Sequence, residues 1–204
     1  DLSGETSEGV SITIQLSASD VDGDNLTYSL LSDATNGSIT IEGQLATYVP
    51  TDYYYGADEF TFQVSDGELT DNASVSLFVN SVNDAPVLAT LDNVSFDEDS
   101  SGGVTLSATD IDGDDLTYSV TTGTDIVATL DGTDLSFSAP TDFNGTENFT
   151  VSVTDGDLTD SQVLTVTIAA VNDAPIASTD LSGETSEGVS ITIQLSASDV
   201  DGDN

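Results

Sequence analysis

The chain has 204 residues, 38 of them acidic, and contains no Lys, Arg, His, Cys, Met or Trp, so its formal charge is −38. Because no side chain can neutralise phosphate, the composition excludes binding to nucleic acids or anionic membranes through basic contacts. The absence of His and Cys excludes disulfides, the usual zinc sites, thiolate nucleophiles and Ser-His-Asp triads. No run of about 18 apolar residues appears, so we expect no membrane insertion in this segment.

Apolar residues alternate with Ser and Thr in several stretches, such as Ile12, Ile14 and Leu16, or Phe60 and Phe62. A period of two predicts half-buried β-strands. In the first repeat, strands are predicted near 1–4, 10–18, 26–32, 37–42, 45–50, 59–65 and 73–81. Seven short strands in about 90 residues are typical of an immunoglobulin-like sandwich. The predicted fold class is therefore all-β, as an elongated array of tandem seven-stranded Greek-key β-sandwiches.

Internal repetition predicts the domain organisation. Residues 1–25 recur without a change at 180–204. Between them lies a diverged copy, in which SASDVDGDNLTYSL becomes SATDIDGDDLTYSV and VNDAP returns unchanged. We predict one domain at 1–90, a second at 91–179, and the start of a third, incomplete domain at 180–204. The one-residue length difference between the first two copies is assigned to the Tyr-Tyr-Tyr-Gly stretch at 53–56, which aligns with Phe-Asn-Gly at 143–145.

Acidic loops are predicted at both ends of each sandwich, because successive strands run in opposite directions. One end of the first domain collects Asp20, Asp22, Asp24 and Asp66. The other end collects Glu8, Asp52, Asn83 and Asp84. The second domain carries the matching residues Asp110, Asp112, Asp114 and Asp155 at its first end. If the first end of each domain faces the second end of its predecessor, acidic groups meet at every joint.

Such joints need a cation from solution. Two like charges 4 Å apart interact by about 1 kcal/mol in water and by about 4 kcal/mol at the effective dielectric of a protein surface. The sequence offers no Lys or Arg to offset this repulsion. Six to eight oxygen ligands from carboxylates, Asn side chains and backbone carbonyls suit Ca²⁺, whereas Mg²⁺ demands tighter octahedral geometry. We therefore predict Ca²⁺ in the interdomain joints.

These motifs resemble cadherins, and most closely the cadherin-like tandem repeats of large bacterial surface adhesins. The resemblance rests on an early glutamate, the Asp-x-Asp loop, a Pro-x-Asp before strand six, an Asp after it, and the Asn-Asp-Ala-Pro linker. It implies a calcium site at the first joint from Glu8, Asp52, Asn83, Asp84, Asp110, Asp112 and Asp155. At the second joint it implies Glu98, Asp142, Asn172, Asp173, Asp199 and Asp201. The third copy adds Glu187 and Asp203 as candidate ligands.

The sequence departs from cadherins in two places. Cadherins carry Asp-Arg-Glu where this chain has Asp52-Tyr53-Tyr54, so one glutamate ligand is lost. The linker reads Asn-Asp where cadherins have Asp-Asn. One to three ions per joint are therefore compatible with the sequence.

The resemblance predicts a secreted or cell-surface structural segment, in which calcium stiffens an array used in adhesion, biofilm formation or surface extension. Its partners would be neighbouring repeats of the same array. The alternative is a recognition module that binds surface glycans or another copy of itself through the tyrosines at 53–55 or an edge strand. A glycoside hydrolase using the carboxylates of Asp66-Gly67-Glu68 is a more distant reading, because an enzyme rarely repeats its active site in every domain. We therefore predict no enzyme activity.

Overall fold

The computed structural model describes residues 2–179 and 181–202 and is built from β-strands. In the first half of the chain the strands are β1 (Leu2–Ser7), β2 (Ile12–Gln15), β3 (Thr27–Ser32), β4 (Gly37–Glu42), β5 (Leu45–Pro50), β6 (Gly56–Ser65) and β7 (Thr70–Asn80). The next are β8 (Val87–Leu88), β9 (Val94–Asp97), β10 (Gly102–Thr105), β11 (Ala108–Thr109), β12 (Thr117–Val120), β13 (Val127–Asp131) and β14 (Asp134–Ser138). The last are β15 (Gly145–Thr154), β16 (Thr159–Ala169), β17 (Ile176–Ala177) and β18 (Ala197–Ser198). Within the described residues, no helix is long and apolar enough to cross a membrane.

The chain divides into two compact units between Asp84 and Ala85. We call them unit 1 and unit 2. The sequence-based boundaries at residues 90 and 179 stay predictions.

Unit 1 is a sandwich of a four-stranded and a three-stranded sheet. The first sheet has the order β1-β7-β6-β3, and the second has the order β2-β5-β4. Strand β1 runs parallel to β7, whereas the other pairs are antiparallel. Alternate residues of both sheets point inward, and Tyr48, Phe60 and Val75 are fully buried. The predicted seven-stranded sandwich is confirmed.

Unit 2 repeats this arrangement. Its four-stranded sheet has the order β12-β15-β16-β9, and its three-stranded sheet has the order β10-β14-β13. The core again consists of inward-facing apolar residues, among them Phe137 and Phe149, whose ring centroids lie 5.0 Å apart. Two short additional pairs, β8 with β11 and β17 with β18, contain two residues in each strand.

The length difference between the two repeats was predicted in the wrong place. In unit 1, Leu30 pairs with Phe62 and Ser32 with Thr61, so Leu31 forms a β-bulge in β3. A bulge adds one residue to one strand of a pair. After the bulge, equivalent residues of the two units differ by 89 in number instead of 90. The turn glycines Gly43 and Gly132 are equivalent in this alignment, and both have φ of 61°.

The corrected alignment shows that Asp142, a predicted ligand, does not occupy the same position in its repeat as Asp52. Tyr53 and Asp142 both adopt a left-handed backbone, with φ of 60° and 59°. Tyr54 and Phe143, the next residues, each donate a backbone hydrogen bond three residues back, to Thr51 and Pro140 respectively. Asp142 therefore corresponds to Tyr53, and Asp52 corresponds to Thr141. The Pro-x-Asp motif is not a structural equivalence between the two repeats.

Candidate metal centre

The Asp-x-Asp-Gly-Asp loops are shaped by their first aspartate. In the first copy, Asp20 Oδ1 accepts the backbone N–H groups of Asp22 at 2.8 Å and Asp24 at 3.1 Å. The third copy begins in the same way, because Asp201 donates its N–H to Asp199 Oδ1 at 3.0 Å. The glycine after the second aspartate has positive φ in each copy, at 81°, 81° and 76°. This backbone conformation favours glycine.

In the second copy this loop gathers three carboxylates. Asp110, Asp112 and Asp114 each offer an oxygen, and the three oxygens lie within 4.8 Å of one another. Asp110 Oδ1 accepts three backbone N–H groups, whereas its Oδ2 atom is buried without a hydrogen-bond partner. Loss of hydration, followed by repulsion from Asp110, Asp112 and Asp155, raises the pKa of Asp114. The loop therefore concentrates negative charge that its own backbone satisfies only in part.

The early glutamate of each repeat is fixed by the strand ends around it. The backbone N–H of Glu98 donates to Ala169 O at 2.9 Å, and its Oε1 accepts the N–H of Val171 at 2.6 Å. Glu98 is only 6% exposed. Unit 1 has the same arrangement at Glu8, whose carboxylate accepts the N–H of Val82. Both glutamates are thus held beside the segment that leads into the Asn-Asp-Ala-Pro linker.

Four carboxylates of unit 2 converge on a fifth, that of Asp173. Glu98, Asp173 and Asp201 form one triad, and Asp99, Asp142 and Asp173 form a second, each with oxygens within 4.8 Å of one another. Asp173 donates its backbone N–H to Asp201 Oδ2 at 2.6 Å, and Asp142 donates its N–H to Asp99 Oδ1 at 3.2 Å. Asp173 is therefore shared by two overlapping clusters.

The carboxylates around Asp173 repel one another, and a bound cation would reduce this repulsion. Loss of hydration, followed by repulsion from Asp142, Asp201, Asp99 and Glu98, raises the pKa of Asp173. Its Oδ2 atom is buried and has no hydrogen-bond partner. An unpaired buried carboxylate oxygen among like charges is unfavourable.

The donor set fits a hard divalent cation. All five side chains offer oxygen, the ligand type that Ca²⁺ takes at 2.3–2.6 Å. Two oxygens bound to one such ion are at most about 5 Å apart, which accommodates the separations within each triad. Glu98, Asp173 and Asp201 would hold one ion, and Asp99, Asp142 and Asp173 would hold a second. Such an ion would supply charge neutralisation and a mechanical link between the segments that carry its ligands.

The corresponding end of unit 1 has fewer acids. Glu8, Asp52 and Asp84 line one depression together with Gly9 and Tyr53. Gly9 and Tyr53 occupy the places of Asp99 and Asp142, and Gly9 has the same left-handed backbone as Asp99, with φ of 68° and 59°. Unit 1 therefore carries Gly and Tyr where unit 2 carries the carboxylates that meet Asp173 in its second triad.

The aspartates after strand six use one oxygen for a turn. Asp66 Oδ1 accepts the N–H groups of Glu68 and Leu69, both at 2.7 Å. Asp155 Oδ1 does the same for Asp157 and Leu158. Hydrogen bonds from Leu69 and Glu68 lower the pKa of Asp66. These aspartates therefore have a local structural role besides their predicted one.

The remaining predicted ligands differ in their surroundings. Asn172 donates its side-chain amide to Asp173 O at 2.9 Å, so its side chain contacts the central aspartate. Glu187 is exposed. Asn83 belongs to the linker after β7. Asp203 lies outside the described residues.

Sequence comparison of the repeats missed Asp99. The residue was hidden because the first and third copies have Gly9 and Gly188 after their glutamate. The visible signal was the adjacent acidic pair Glu98-Asp99. Asp99 forms its triad with Asp142 and Asp173. The sequence alignment had paired Asp142 with Asp52 rather than with Tyr53, and so gave no reason to expect this triad.

The amino-acid sequence matches the model of one known protein family. The model of the bacterial Ig domain family matches residues 1–78 and 83–167, well over half of the chain. The chain belongs to this family. A stretch of 114 residues is 32% identical to chitinase A of Pseudoalteromonas piscicida, covering 54% of this chain and 14% of that enzyme. The chain thus spans only a small part of this curated relative.

The bacterial Ig domains of this chain also resemble cadherin domains in structure. Extracellular domains 1–5 of protocadherin gamma B2 match over 98% of this chain and 44% of theirs, with a TM-score of 0.61 and 19% identity. Domains 1–4 of Drosophila N-cadherin match over 98% of this chain and 56% of theirs, with a TM-score of 0.52 and 16% identity. At such low identity the similarity concerns the fold, which is Ig-like and cadherin-like.

Proposed function

We propose that this chain is a calcium-stiffened spacer of an extracellular bacterial protein that serves in adhesion or surface extension. The observation that carries the proposal is the convergence of four carboxylates on that of Asp173 in a sequence without any Lys, Arg or His. Membership of the bacterial Ig domain family and the cadherin-like fold support a structural role. The site residues, including those predicted in unit 1, are ligand candidates under this proposal.

The mechanism follows from which segments supply the ligands. Glu98 and Asp99 follow β9, Asp142 precedes β15, and Asp173 lies in the linker. Asp201 belongs to the next sequence repeat. An ion bound by these side chains would tie the linker to both repeats and restrict its motion. Calcium at 100 times its dissociation constant would stabilise the bound state by about 2.7 kcal/mol.

Small-angle scattering with millimolar calcium and with a chelator tests the proposal. With calcium we expect a stiffer particle, and on chelation a shorter or more flexible one, together with a lower melting temperature because the ion binds only the folded site. Scattering curves and melting temperatures that are identical in the two buffers would refute the proposal.

A pair of charge-matched variants localises the effect. Asp173→Asn removes the carboxylate shared by both triads, and we expect at least a roughly tenfold loss of calcium affinity in calorimetry, because it removes a charged ligand from each triad. Asp131→Asn removes the same charge from an exposed hairpin residue outside the clusters and is the control. Equal calcium affinities in the two variants would contradict the assignment.

A second candidate function is recognition of a polysaccharide. Tyr53 and Tyr55 are each 57% exposed, whereas Tyr54 packs on the core and donates its hydroxyl to Ala57 O at 2.6 Å. The relative from Pseudoalteromonas piscicida is a chitinase. If the exposed rings bind sugar, Tyr53→Ala with Tyr55→Ala should abolish retention on chitin. Phe78→Ala, which removes a ring of similar exposure (51%) elsewhere on unit 1, should leave retention unchanged.

A further inference from the structure

We propose that unit 2 bears tension along the chain through a clip of three side chains, which resists pulling even without bound calcium. The clip consists of Asn93, Asp160 and Gln162. It fastens residues 88–93, here called the entry segment, to the first half of β16. The inference goes beyond the spacer role proposed above, because it assigns mechanical strength to residues outside the candidate metal centre.

The backbone ladder between β9 and β16 covers only the second half of β16. It begins where Val94 pairs in parallel with Val166, and it ends where Asp97 pairs with Ala169. The residue numbers in these pairs differ by 72. The entry segment lies upstream of this ladder, so its attachment to β16 depends on other contacts.

Gln162 makes three of these contacts. Its side-chain amide donates to Leu88 O at 2.8 Å and to Ala89 O at 3.2 Å. Its Oε1 accepts the N–H of Leu91 at 3.1 Å. One side chain of β16 thus binds three backbone groups that a continued parallel ladder would have paired with backbone.

Asp160 and Asn93 hold the two ends of the entry segment. Asp160 Oδ2 accepts the N–H of Leu88 at 2.9 Å, and Asn93 Oδ1 accepts the N–H of Thr165 at 3.0 Å. Both pairs keep the difference of 72 in residue number that the ladder has. The clip therefore continues the register of the ladder to the start of β16.

The entry segment is also anchored in the core and has no slack. Leu88 is 3% exposed and belongs to the core of unit 2. A further bond joins the N–H of Ala89 to Ser107 O at 2.9 Å. Residues 88–97 and 160–169 run in constant register, and each extended residue advances by about 3.3 Å in both segments. Tension therefore loads the contacts directly, because there is no loop to straighten first.

The parallel direction of the two segments determines how tension acts on them. Leu88 lies beside Asp160, at the start of β16. Asp97 lies beside Ala169, at the end of β16. The chain thus enters and leaves this contact at opposite ends. Pulling on the chain shears the contact along its length, so that its hydrogen bonds share the load, whereas pulling at one shared end would open them one after another.

Optical tweezers that pull the full chain through introduced cysteines, in chelator, test the proposal. The chain has no native cysteine, so the attachment points are unique. Ala85→Cys with Ala170→Cys loads the contact in shear. Ser101→Cys with Ala170→Cys pulls β9 and β16 apart from their shared end. All three positions are exposed, and both variants keep the clip.

The two pulling directions should give different rupture forces for the same set of bonds. We expect a force at least about twofold higher in shear, because forced unfolding follows the unfolding barrier and the sheared contact must break as a whole. Equal rupture forces in the two directions would overturn the proposal.

The effect of Gln162→Ala should depend on the pulling direction. In shear it should shorten the lifetime of unit 2 at constant force at least about tenfold, as expected for the loss of three hydrogen bonds. From the shared end it should change the lifetime by less than about twofold, because rupture starts at the far end of the ladder. General destabilisation would shorten both lifetimes. Equal effects in the two directions, or no effect in shear, would therefore overturn the proposal.

Asn148→Ala is the matched control. Asn148 is exposed, and its Oδ1 accepts the hydroxyl of Thr165 at 2.8 Å, so it joins β15 to β16 rather than to the entry segment. We expect changes below about twofold in both directions, as for other surface substitutions. A loss of lifetime in shear as large as that of Gln162→Ala would contradict the role of the clip.

Discussion

Asp99 and Asp142 add two carboxylates to the cluster around Asp173. Both have a left-handed backbone, a conformation that Asp tolerates better than most residues with a side chain. In this conformation their carboxylates meet Asp173. Unit 1 has Gly9 and Tyr53 at these places, so a second triad of this kind is missing from the described residues of unit 1.

Under the calcium proposal, exchanging these residues between the units should change the number of ions that each unit binds. Under the calcium proposal, Gly9→Asp with Tyr53→Asp should add one bound calcium per chain, and a Cβ at Gly9 would contact nothing within 4 Å. Asp99→Gly with Asp142→Tyr should remove one. Equilibrium dialysis with radioactive calcium measures both counts, and an unchanged stoichiometry in both variants would contradict the two-ion interpretation.

Two other carboxylates are structural. Asp58 accepts the N–H groups of Thr35 and Asn36 at 3.0 and 2.9 Å and the hydroxyl of the buried Tyr48 at 3.0 Å. Glu147, its counterpart in unit 2, accepts the N–H groups of Thr124 and Asp125. Burial opposes ionisation of Asp58, but the hydrogen bonds outweigh it and lower its pKa. Each carboxylate thereby fixes the loop that leads into the three-stranded sheet.

The lowered pKa of Asp58 makes unit 1 sensitive to acid. The stabilisation is present above the pKa of an unfolded aspartate, about 3.9, and is lost as the pH falls through the lower folded value. Asp58→Asn should lower the free energy of unfolding by about 2 kcal/mol at pH 7, the scale of a charged hydrogen bond, and flatten its decline below pH about 4. Urea unfolding followed by tyrosine fluorescence measures this.

The exposed Asp131→Asn is the control for this pH series. It should keep the stability of the unaltered chain at pH 7, because its side chain is exposed. If Asp58→Asn and the unaltered chain decline in parallel between pH 5 and pH 3, the carboxylate does not act as described.

At the scale of the strand, the bulge at Leu31 is dispensable. Unit 2 forms the same pair without the additional residue, since Val120 pairs with Val151 and Thr121 donates its N–H to Thr150 O at 3.0 Å. Leu31 itself is 52% exposed. Deleting Leu31 should change the free energy of unfolding by less than about 1 kcal/mol, because an exposed residue is lost and register is kept.

Deletion of Thr40 provides the contrasting case. Thr40 is exposed in β4 between Ile39 and Ile41, which face the core. Removing one residue turns the following side chains to the opposite face. We expect a loss of at least about 2 kcal/mol, the cost of exposing one isoleucine. Equal tolerance of the two deletions in urea unfolding would contradict the assignment of the bulge.

The strands were predictable from the sequence because alternation of apolar and polar residues is a local signal. The position of the bulge was not, since Leu30-Leu31 carries no turn residue and the Tyr-rich stretch offered a more obvious length difference. The placement of Asp142 and the role of Asp99 depend on this alignment and were therefore missed. The Asp-x-Asp loops were found because their glycines and aspartates are fixed by the turn itself.

At the scale of the whole chain, the charge of −38 has no internal counterion. Repulsion between carboxylates weakens as added salt shortens the screening length from about 10 Å at 0.1 M to about 3 Å at 1 M. In chelator, raising NaCl from 0.1 to 1 M should therefore raise the urea midpoint. Under the calcium proposal, the increase should be smaller with millimolar calcium, because bound ions would already neutralise the most crowded carboxylates. A midpoint independent of salt in chelator would contradict this account.

The short strand β8 has a practical consequence for anyone who wishes to excise one repeat. It begins at Val87, upstream of the repeat boundary read from the sequence, yet its Leu88 fills the interior of the unit that follows. A fragment that starts at residue 91 would lack β8, so the place that Leu88 fills in the core of unit 2 would be open to solvent. Cutting before Ala85 keeps that segment attached, so the natural module for recombinant work starts at the linker rather than after it.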